Sequence, residues 1–151
     1  MSDLINVIIF LGLLALGYFS GTYFEQQHYK SIKKREKKTL YVPTVTFGAK
    51  QAMPEARDAA LFAGSVVIGA DYFKTFVSYL RNLVGGRVVV YESLLDRGRR
   101  EALLRMKEQA IAWGATQVVN VRLESSNIGQ QAGSNKGMMA IEVIAYGTGV
   151  K

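Results

Sequence analysis

Cysteine is absent from the 151 residues of this chain, and there is a single histidine, His28, and only two prolines. Without cysteine there is no disulfide and no thiolate ligand, which excludes disulfide-stapled folds and cysteine-based zinc sites. One histidine cannot build a multi-histidine metal centre, and its place near the N-terminus, far from the candidate serines, argues against a hydrolase triad. No phosphate-loop or dinucleotide-binding glycine motif occurs. No cofactor is therefore expected, although a metal site made of carboxylates or methionines stays open.

Positive charge is unevenly distributed along the chain, whose net charge is +7. Residues 1–29 carry two acidic and no basic side chains, apart from the neutral histidine. Residues 30–38, KSIKKREKK, carry six basic groups and one acidic group. The basic run abuts an apolar segment and contains no interleaved aromatics, so we read it as membrane-facing rather than as a nucleic-acid-binding tail, and we expect no nucleic-acid partner.

The apolar segment runs from Leu4 to Phe24 and holds 21 residues without a charge. A helix of that length covers the roughly 30 Å hydrocarbon core of a bilayer. A cleaved signal peptide is the alternative, but the segment lacks a basic n-region and a clear cleavage site. We predict a retained transmembrane helix over 1–29, with its span at about 4–24.

The position of the basic run predicts the orientation of the chain. By the positive-inside rule the C-terminal domain lies in the cytoplasm and the N-terminus outside, with the membrane crossed once. Anionic lipid headgroups are expected to bind the lysines and the arginine of the run. These residues are Lys33, Lys34, Arg35, Lys37 and Lys38.

Two glycines of the span, Gly17 and Gly21, form a G-x-x-x-G pair. Small residues four apart let helix backbones approach each other closely in lipid. The alternative is that glycine is simply common in spans, so the pair supports helix association only if the rest of the chain also assembles.

The remainder divides into a basic juxtamembrane stalk and connector, 30–58, and an oligomerising domain, 59–151. The stalk is expected to continue the span as a helix over 25–38. In the connector, LYVPTVTF predicts a short strand that Pro43 confines to a sheet edge or a strand start. A buried strand over 61–69 and a helix from Asp71 to Val84 follow, each marked by its apolar periodicity.

A second helix is predicted over 93–115, with a core stripe that includes Ala102, Met106 and Trp113. The pair Glu101 and Arg105, four apart, is expected on its exposed face. A half-buried strand over 116–125 should alternate cleanly and form a hairpin with a last strand over 137–150. The result is an α+β fold, a small two-layer unit with an antiparallel sheet and two helices, whose apolar last strand calls for cover by partner subunits.

The stretch LVGGRVVVYE, 83–92, joins the two predicted helices. Its glycines lack the companions of a phosphate loop, so a hinge is the better interpretation. A subunit-interface or anion contact by Gly85, Gly86, Arg87, Tyr91 and Glu92 is the functional hypothesis for this stretch. The three valines alone would predict a strand, which leaves 88–90 open between a strand and a helix start.

From about Phe62 to Val150 the chain resembles the YbjQ-like family of small bacterial domains to which heavy-metal binding is ascribed. The resemblance rests on GADYFKTF, LRNLVGGR, the YE after Arg87, WGATQVVNVRLE and MMAIEVIAYGTGV. It implies a dodecin-like α+β subunit that assembles as a ring, with pentamers known for the family. It supplies no catalytic residues to carry over. For residues 88–90 it favours a helix that begins between Val88 and Tyr91 over a strand.

These observations together predict a non-enzymatic scaffold or ligand-binding domain that forms a homo-oligomeric, pentameric ring. The ring is expected in the cytoplasm, anchored to a bacterial inner membrane. Its expected partners are further copies of itself and the membrane. The alternative is a metal-ion or small-anion binding module with sites at subunit interfaces.

Overall fold

The structure, a computed structural model, describes residues 2–46, 53, 55–69, 89–128 and 140–151. The elements in chain order are helix α1 (Ser2–Thr39), strand β1 (Thr44–Val45), strand β2 (Ala59–Gly69), helix α2 (Val89–Trp113), strand β3 (Gln117–Ile128) and strand β4 (Ala140–Val150). The helix predicted between Asp71 and Val84 lies outside the described residues. The α+β class predicted from the sequence is confirmed.

Helix α1 is one continuous element of 38 residues, so the span and the stalk share a single axis. No proline occurs before Pro43, which leaves the helical hydrogen-bond ladder uninterrupted from the first turn to the last. The predicted helical stalk is therefore confirmed. At its C-terminal end the Thr39 hydroxyl lies 3.1 Å from the Arg35 carbonyl oxygen and donates to it.

The four described strands form one sheet in the order β1-β3-β4-β2. Strands β3 and β4 pair antiparallel as the predicted hairpin, and β2 pairs antiparallel with β4 over its whole length. Strand β1 follows Pro43 directly and lies at the sheet edge, as predicted. It pairs parallel with β3, so the sheet is mixed rather than purely antiparallel.

Helix α2 covers one face of this sheet with its predicted stripe. Ala102, Met106 and Ala110 are fully buried there, and the Trp113 ring packs against Phe62 at 5.6 Å between centroids. Close approach of helix and strand depends on Gly64 of β2. A Cβ at that position would collide with the Ala102 carbonyl oxygen and the Met106 backbone nitrogen. The core of the domain thus lies between α2 and the sheet.

The bounds of α2 decide whether the valines before Tyr91 belong to a strand or to a helix. The helix begins at Val89, inside the window given by the family resemblance, so residues 89 and 90 belong to a helix and not to a strand. Its last residue is Trp113, and the next residue, Gly114, has a φ of +97°, the left-handed conformation that glycine adopts without strain.

The clean alternation predicted for the first hairpin strand is wrong. Asn120 has a φ of +53°, and the register to β4 shifts between Val119 and Arg122. Two residues of β3 therefore oppose one residue of β4, which is a β-bulge. As a result Val118 and Val119, neighbours in the chain, are both buried, whereas Leu123 is exposed.

The two faces of β4 differ. Its helix-facing residues, Ile141, Val143 and Ala145, are buried under α2. On the opposite face Ile144 is 36% exposed, and the neighbouring strand exposes Leu61 and Val67 at 72% and 58%. Within one chain α2 thus covers only one side of the last strand, and cover of the other side by partner subunits stays a prediction.

Candidate functional site

The first part of α1 is long and apolar enough to cross a membrane, with a mean hydropathy of 2.1 over its most apolar window. None of that window is buried against the rest of the chain. Large apolar side chains such as Leu4, Phe10 and Phe24 are each more than 60% exposed. A water-soluble protein rarely leaves so extended an apolar surface open, whereas a bilayer covers it.

The second part of α1, residues 28–39, packs along α2 on the side away from the sheet; we call this packing the stalk contact. Ile32 is fully buried there although it stands within the basic run. The Tyr29 hydroxyl donates to the Ser93 carbonyl oxygen at 3.3 Å. The stalk therefore forms a third layer on the domain.

Arg35 is the centre of the stalk contact. Its Nη1 donates to both carboxylate oxygens of Glu101, at 3.0 and 2.8 Å. Its Nε and Nη2 donate to the two oxygens of Glu108, each at 2.7 Å. A planar guanidinium fits two carboxylates in this way because its donors are fixed in a fork. Arg35 was expected among the headgroup-binding residues; the structure instead turns it toward α2.

Glu101 is the most buried charged side chain of the stalk contact, at 3% exposure. Besides Arg35 it accepts a hydrogen bond from Arg105 Nε at 2.8 Å, and Arg105 Nη1 also donates to the Ser65 carbonyl oxygen of β2. The predicted pair of Glu101 and Arg105 is thus present, but it is wrong to place Glu101 on an exposed face. The stalk covers that face of α2, which the sequence of α2 alone does not reveal.

A second ion pair lies beside the first, between Glu36 of the stalk and Arg100 of α2. Arg100 Nε and Nη2 donate to the two Glu36 oxygens at 2.8 and 2.6 Å. The Arg100 guanidinium also lies over the Tyr29 ring, 5.9 Å from its centroid. A bidentate pair and a cation–π contact therefore reinforce the alignment of α1 with α2.

The electrostatics of the contact follow from these hydrogen bonds. Burial by itself raises the pKa of Glu101, but the hydrogen bonds from Arg35 and Arg105 outweigh it and hold the pKa below its ordinary value. The hydrogen bond from Arg100 likewise lowers the pKa of Glu36. Burial, followed by the charge of Arg97, lowers the pKa of His28, whose Nε2 lies 3.9 Å from Glu101. Both carboxylates are consequently ionised at neutral pH and act as ion-pair partners rather than as proton acceptors.

The sequence does not reveal Glu101 and Glu108 as partners of Arg35, nor the pair of Glu36 with Arg100. One signal was available. Leu104 lies between Glu101 and Glu108 on the same face of α2 and is 3% exposed. An apolar residue thus interrupts a helix face whose charged residues predict solvent exposure.

The other predicted site residues are Gly85, Gly86, Arg87, Tyr91, Glu92, Gly17 and Gly21. Gly85, Gly86 and Arg87 lie outside the described residues. Tyr91 and Glu92 stand in the first turns of α2, with the Glu92 side chain exposed. Around Gly17 of the span a Cβ would meet nothing within 4 Å, so that surface is open to a neighbouring helix.

The lysines of the basic run lie at different distances from the span. At 1.5 Å per residue, Lys33 and Lys34 lie about 14–15 Å beyond Phe24 along the helix axis, and Lys37 and Lys38 about 20 Å. All four are exposed.

A cleft of about 540 Å³ opens where β3 begins and β4 ends, at Gln117 and Val150. Its lining combines two cations, Arg57 and Lys151, with the Glu55 carboxylate, the Met53 thioether and the Gln117 amide. No group of three or more histidine, cysteine or acidic side chains suited to a metal ion occurs among the described residues. The cleft offers mixed polar contacts rather than a preformed metal centre.

Residues 50–151 match the model of the YbjQ family, which is described as "Putative heavy-metal-binding". A UPF0145 protein of Halobacterium salinarum is 44% identical over 87 residues, which cover 58% of this chain and 76% of that protein. A UPF0145 protein of Clostridium novyi is 37% identical over 97 residues, covering 64% and 86%. Another, from Pyrococcus furiosus, is 41% identical over 87 residues, covering 58% and 69%. The relatives therefore come from archaea as well as bacteria.

Among solved structures, a protein with unknown function of the DUF74 family from Pediococcus pentosaceus is similar at a TM-score of 0.38 and 15% identity. The match covers 71% of this chain and 92% of that one. Helix α1 and strand β1 precede the residues matched by the family model.

Proposed function

This chain belongs to the YbjQ family, and on that premise we propose that it is a membrane-anchored, homo-oligomeric form of the family's domain, acting as a scaffold or ligand-binding module without catalysis. The observation that carries the proposal is the continuity of α1 from an exposed apolar span into a stalk held against α2 by Arg35. An anchor joined by a flexible linker would leave the domain free to move, whereas this one fixes it to the membrane.

The orientation of the anchor can be tested with a cysteine scan, because the chain has no cysteine of its own. By the positive-inside rule we place the domain on the cytoplasmic side, with Lys33 and Lys34 on anionic headgroups. A membrane-impermeant maleimide applied to intact cells should label a Ser2→Cys variant and should label Lys151→Cys only after lysis. Labelling of Lys151→Cys in intact cells would overturn the orientation, and extraction of the chain by carbonate would overturn the anchor.

Self-assembly is supported by the outer face of the sheet, opposite α2. Leu61 and Val67 are exposed on β2, which lies at an edge of the sheet in the described part of the chain. Exposed apolar residues on a long edge strand are a usual site of pairing between copies. The family resemblance makes a pentameric ring the expected product.

Native mass measurement of the detergent-solubilised chain tests the assembly. Five copies are expected, and a clean monomer would refute it. Val67→Glu should dissociate the ring because it places a charge within the apolar face. Gln109→Glu is the matched control, since it adds the same charge at an exposed position of α2.

A metal-ion or small-anion module is the second candidate, favoured by the cleft near Met53 and by the description of the family. A thioether and a carboxylate can bind a soft or borderline cation, whereas Arg57 and Lys151 suit an anion. Calorimetric titration of the purified chain with copper, zinc and phosphate distinguishes these cases. Absence of binding below the millimolar range would eliminate the second candidate.

A further inference from the structure

We infer that the N-terminal end of α2 is a second membrane contact, which rests on the bilayer beside the span. The inference deepens the proposed function, because it depends on α1 crossing a membrane. It assigns a lipid surface as the partner of residues 89–99, a role that neither the family match nor the sequence patterns indicate.

The stalk contact fixes how α1 and α2 are aligned. Tyr29 meets Ser93 and Glu36 meets Arg100, and each pair is separated by 64 residues in sequence. Arg35 meets Glu101 and Glu108, separated by 66 and 73 residues. Later residues of α1 therefore meet later residues of α2, so the two helices run side by side in the same direction. The N-terminus of α2 must point back toward the span.

Helix geometry converts this alignment into a height above the bilayer. Tyr29 lies five residues beyond Phe24, about 7.5 Å along the axis, and Ser93 is level with it. Val89 lies four residues before Ser93, about 6 Å nearer to the span, and so within about 2 Å of the hydrocarbon boundary. The Glu36–Arg100 pair gives the same height for Val89, and the Arg35–Glu101 pair places it about 3 Å deeper. The first turn of α2 is thus level with the end of the span.

The residues at this height have the chemistry of a lipid interface. The first turn reads Val89-Val90-Tyr91, two apolar residues and an aromatic of the kind enriched where headgroups meet acyl chains. The β-branched valines are poor choices for a solvated helix start, where Ser, Thr, Asp or Asn is usual. Apolar residues at a helix end that faces lipid need no such explanation.

Charged groups follow about 14–17 Å beyond Phe24, close to the height of Lys33 and Lys34. Arg97 and Arg99 lie four and six residues beyond Ser93, about 6–9 Å higher. Arg99 is exposed, and within the described ranges Arg97 Nε is buried without a hydrogen-bond partner. The same stretch carries Glu92 and Asp96, the latter 3.8 Å from Arg100. Because Arg100 is paired with Glu36, Arg97 and Arg99 balance Glu92 and Asp96, and the contact rests on the apolar first turn rather than on net charge.

Tryptophan fluorescence tests the contact, because Trp113 is the only tryptophan of the chain. Trp113 lies 22 residues beyond Tyr91, about 33 Å farther along α2, and serves as the distant control. The full chain with Tyr91→Trp in a Trp113→Phe background is reconstituted into vesicles of phosphatidylcholine and phosphatidylglycerol. Phosphatidylcholine brominated on its acyl chains is the quencher. Phe10→Trp in the same background reports on the span.

We expect the indole at position 91 to lose at least half of its emission in brominated vesicles, with Trp113 of the unmodified chain almost unaffected. Strong quenching at position 10 without quenching at position 91 overturns the second contact and leaves the anchor standing; a blue-shifted, unquenched indole at 91 would place that end in a protein interface instead. Absence of quenching at position 10 overturns the anchor itself. Circular dichroism confirms that each variant is folded.

Discussion

Replacing Glu101 by glutamine should destabilise the domain strongly, because the change removes the negative charge at the centre of the stalk contact. Arg35 and Arg105 donate three hydrogen bonds to this carboxylate, and its side chain is 4% exposed. Hydrogen bonds to a charged group each contribute about 1.5–3 kcal/mol, and breaking a buried pair costs about 3–5 kcal/mol. Arg35 keeps its pair with Glu108, so we expect a loss of about 3 kcal/mol for Glu101→Gln, near the lower end of the range for a buried pair.

The assay is thermal unfolding of the full chain in detergent, followed by circular dichroism. For a chain of this length, a loss of about 3 kcal/mol corresponds to a decrease in Tm of about 10 °C. Glu108→Gln is the matched control, since Glu108 also pairs with Arg35 but its side chain is 39% exposed. Solvent screens that pair, and the expected cost is below about 1 kcal/mol. Equal effects of the two substitutions would refute the reasoning that burial makes Glu101 the stronger partner.

The pH dependence gives an internal check on the same residue. The pKa of Glu101 is lowered below its reference value of 4.5, so its contribution to stability is fully present above about that pH. The contribution is lost as the pH falls through the folded-state pKa. The difference in Tm between the native chain and Glu101→Gln should therefore shrink on acidification below about pH 4.5. A difference that stays constant down to about pH 3 would show that the charge is not its source.

Three further substitutions test other parts of the fold. Gly64→Ala should cost about 3 kcal/mol, measured by urea unfolding, because the methyl group would collide with the backbone of α2; Gly12→Ala, with nothing within 4 Å, should cost nothing measurable. Asn120→Val should cost about 1–2 kcal/mol and Asn120→Gly should cost less, because the φ of +53° disfavours a β-branched residue and glycine adopts it freely. The pKa of His28 is lowered from 6.5, so its protonation opposes folding once the pH falls below about that value. His28→Gln should therefore abolish a loss of Tm below about pH 6.5, and an unchanged pH profile would contradict this assignment.

Apolar periodicity and charge distribution predict much of this fold from the sequence. The uncharged run from Leu4 to Phe24, the strand before Gly69 and the core stripe through Met106 are local patterns, and the structure contains each of them. The start of α2 at Val89 required the family resemblance, because three consecutive valines favour a strand by propensity alone.

The stalk contact could not be predicted in the same way, because its burial arises between segments that are distant in sequence. Glu101 reads as an exposed partner of Arg105 until α1 is known to lie over it. Arg35 reads as one of several lysine-like headgroup ligands, yet its guanidinium can join two carboxylates where an ammonium cannot. The bulge at Asn120 depends on how β3 pairs with β4, and the alternation of apolar and polar residues within β3 does not predict that pairing.

Because α1 is unbroken, a change in the tilt of the proposed anchor would change the orientation of the attached domain. A span that is long for its bilayer tilts, and membranes of different thickness impose different tilts on it. Thr39 lies 15 residues beyond Phe24, about 22 Å along a helix without a hinge. An added tilt of about 10° therefore displaces that end by about 4 Å and rotates the attached domain by the same angle. For a chain anchored as proposed, bilayer thickness, a property of lipid alone, would thus set the orientation of the sheet at the membrane surface.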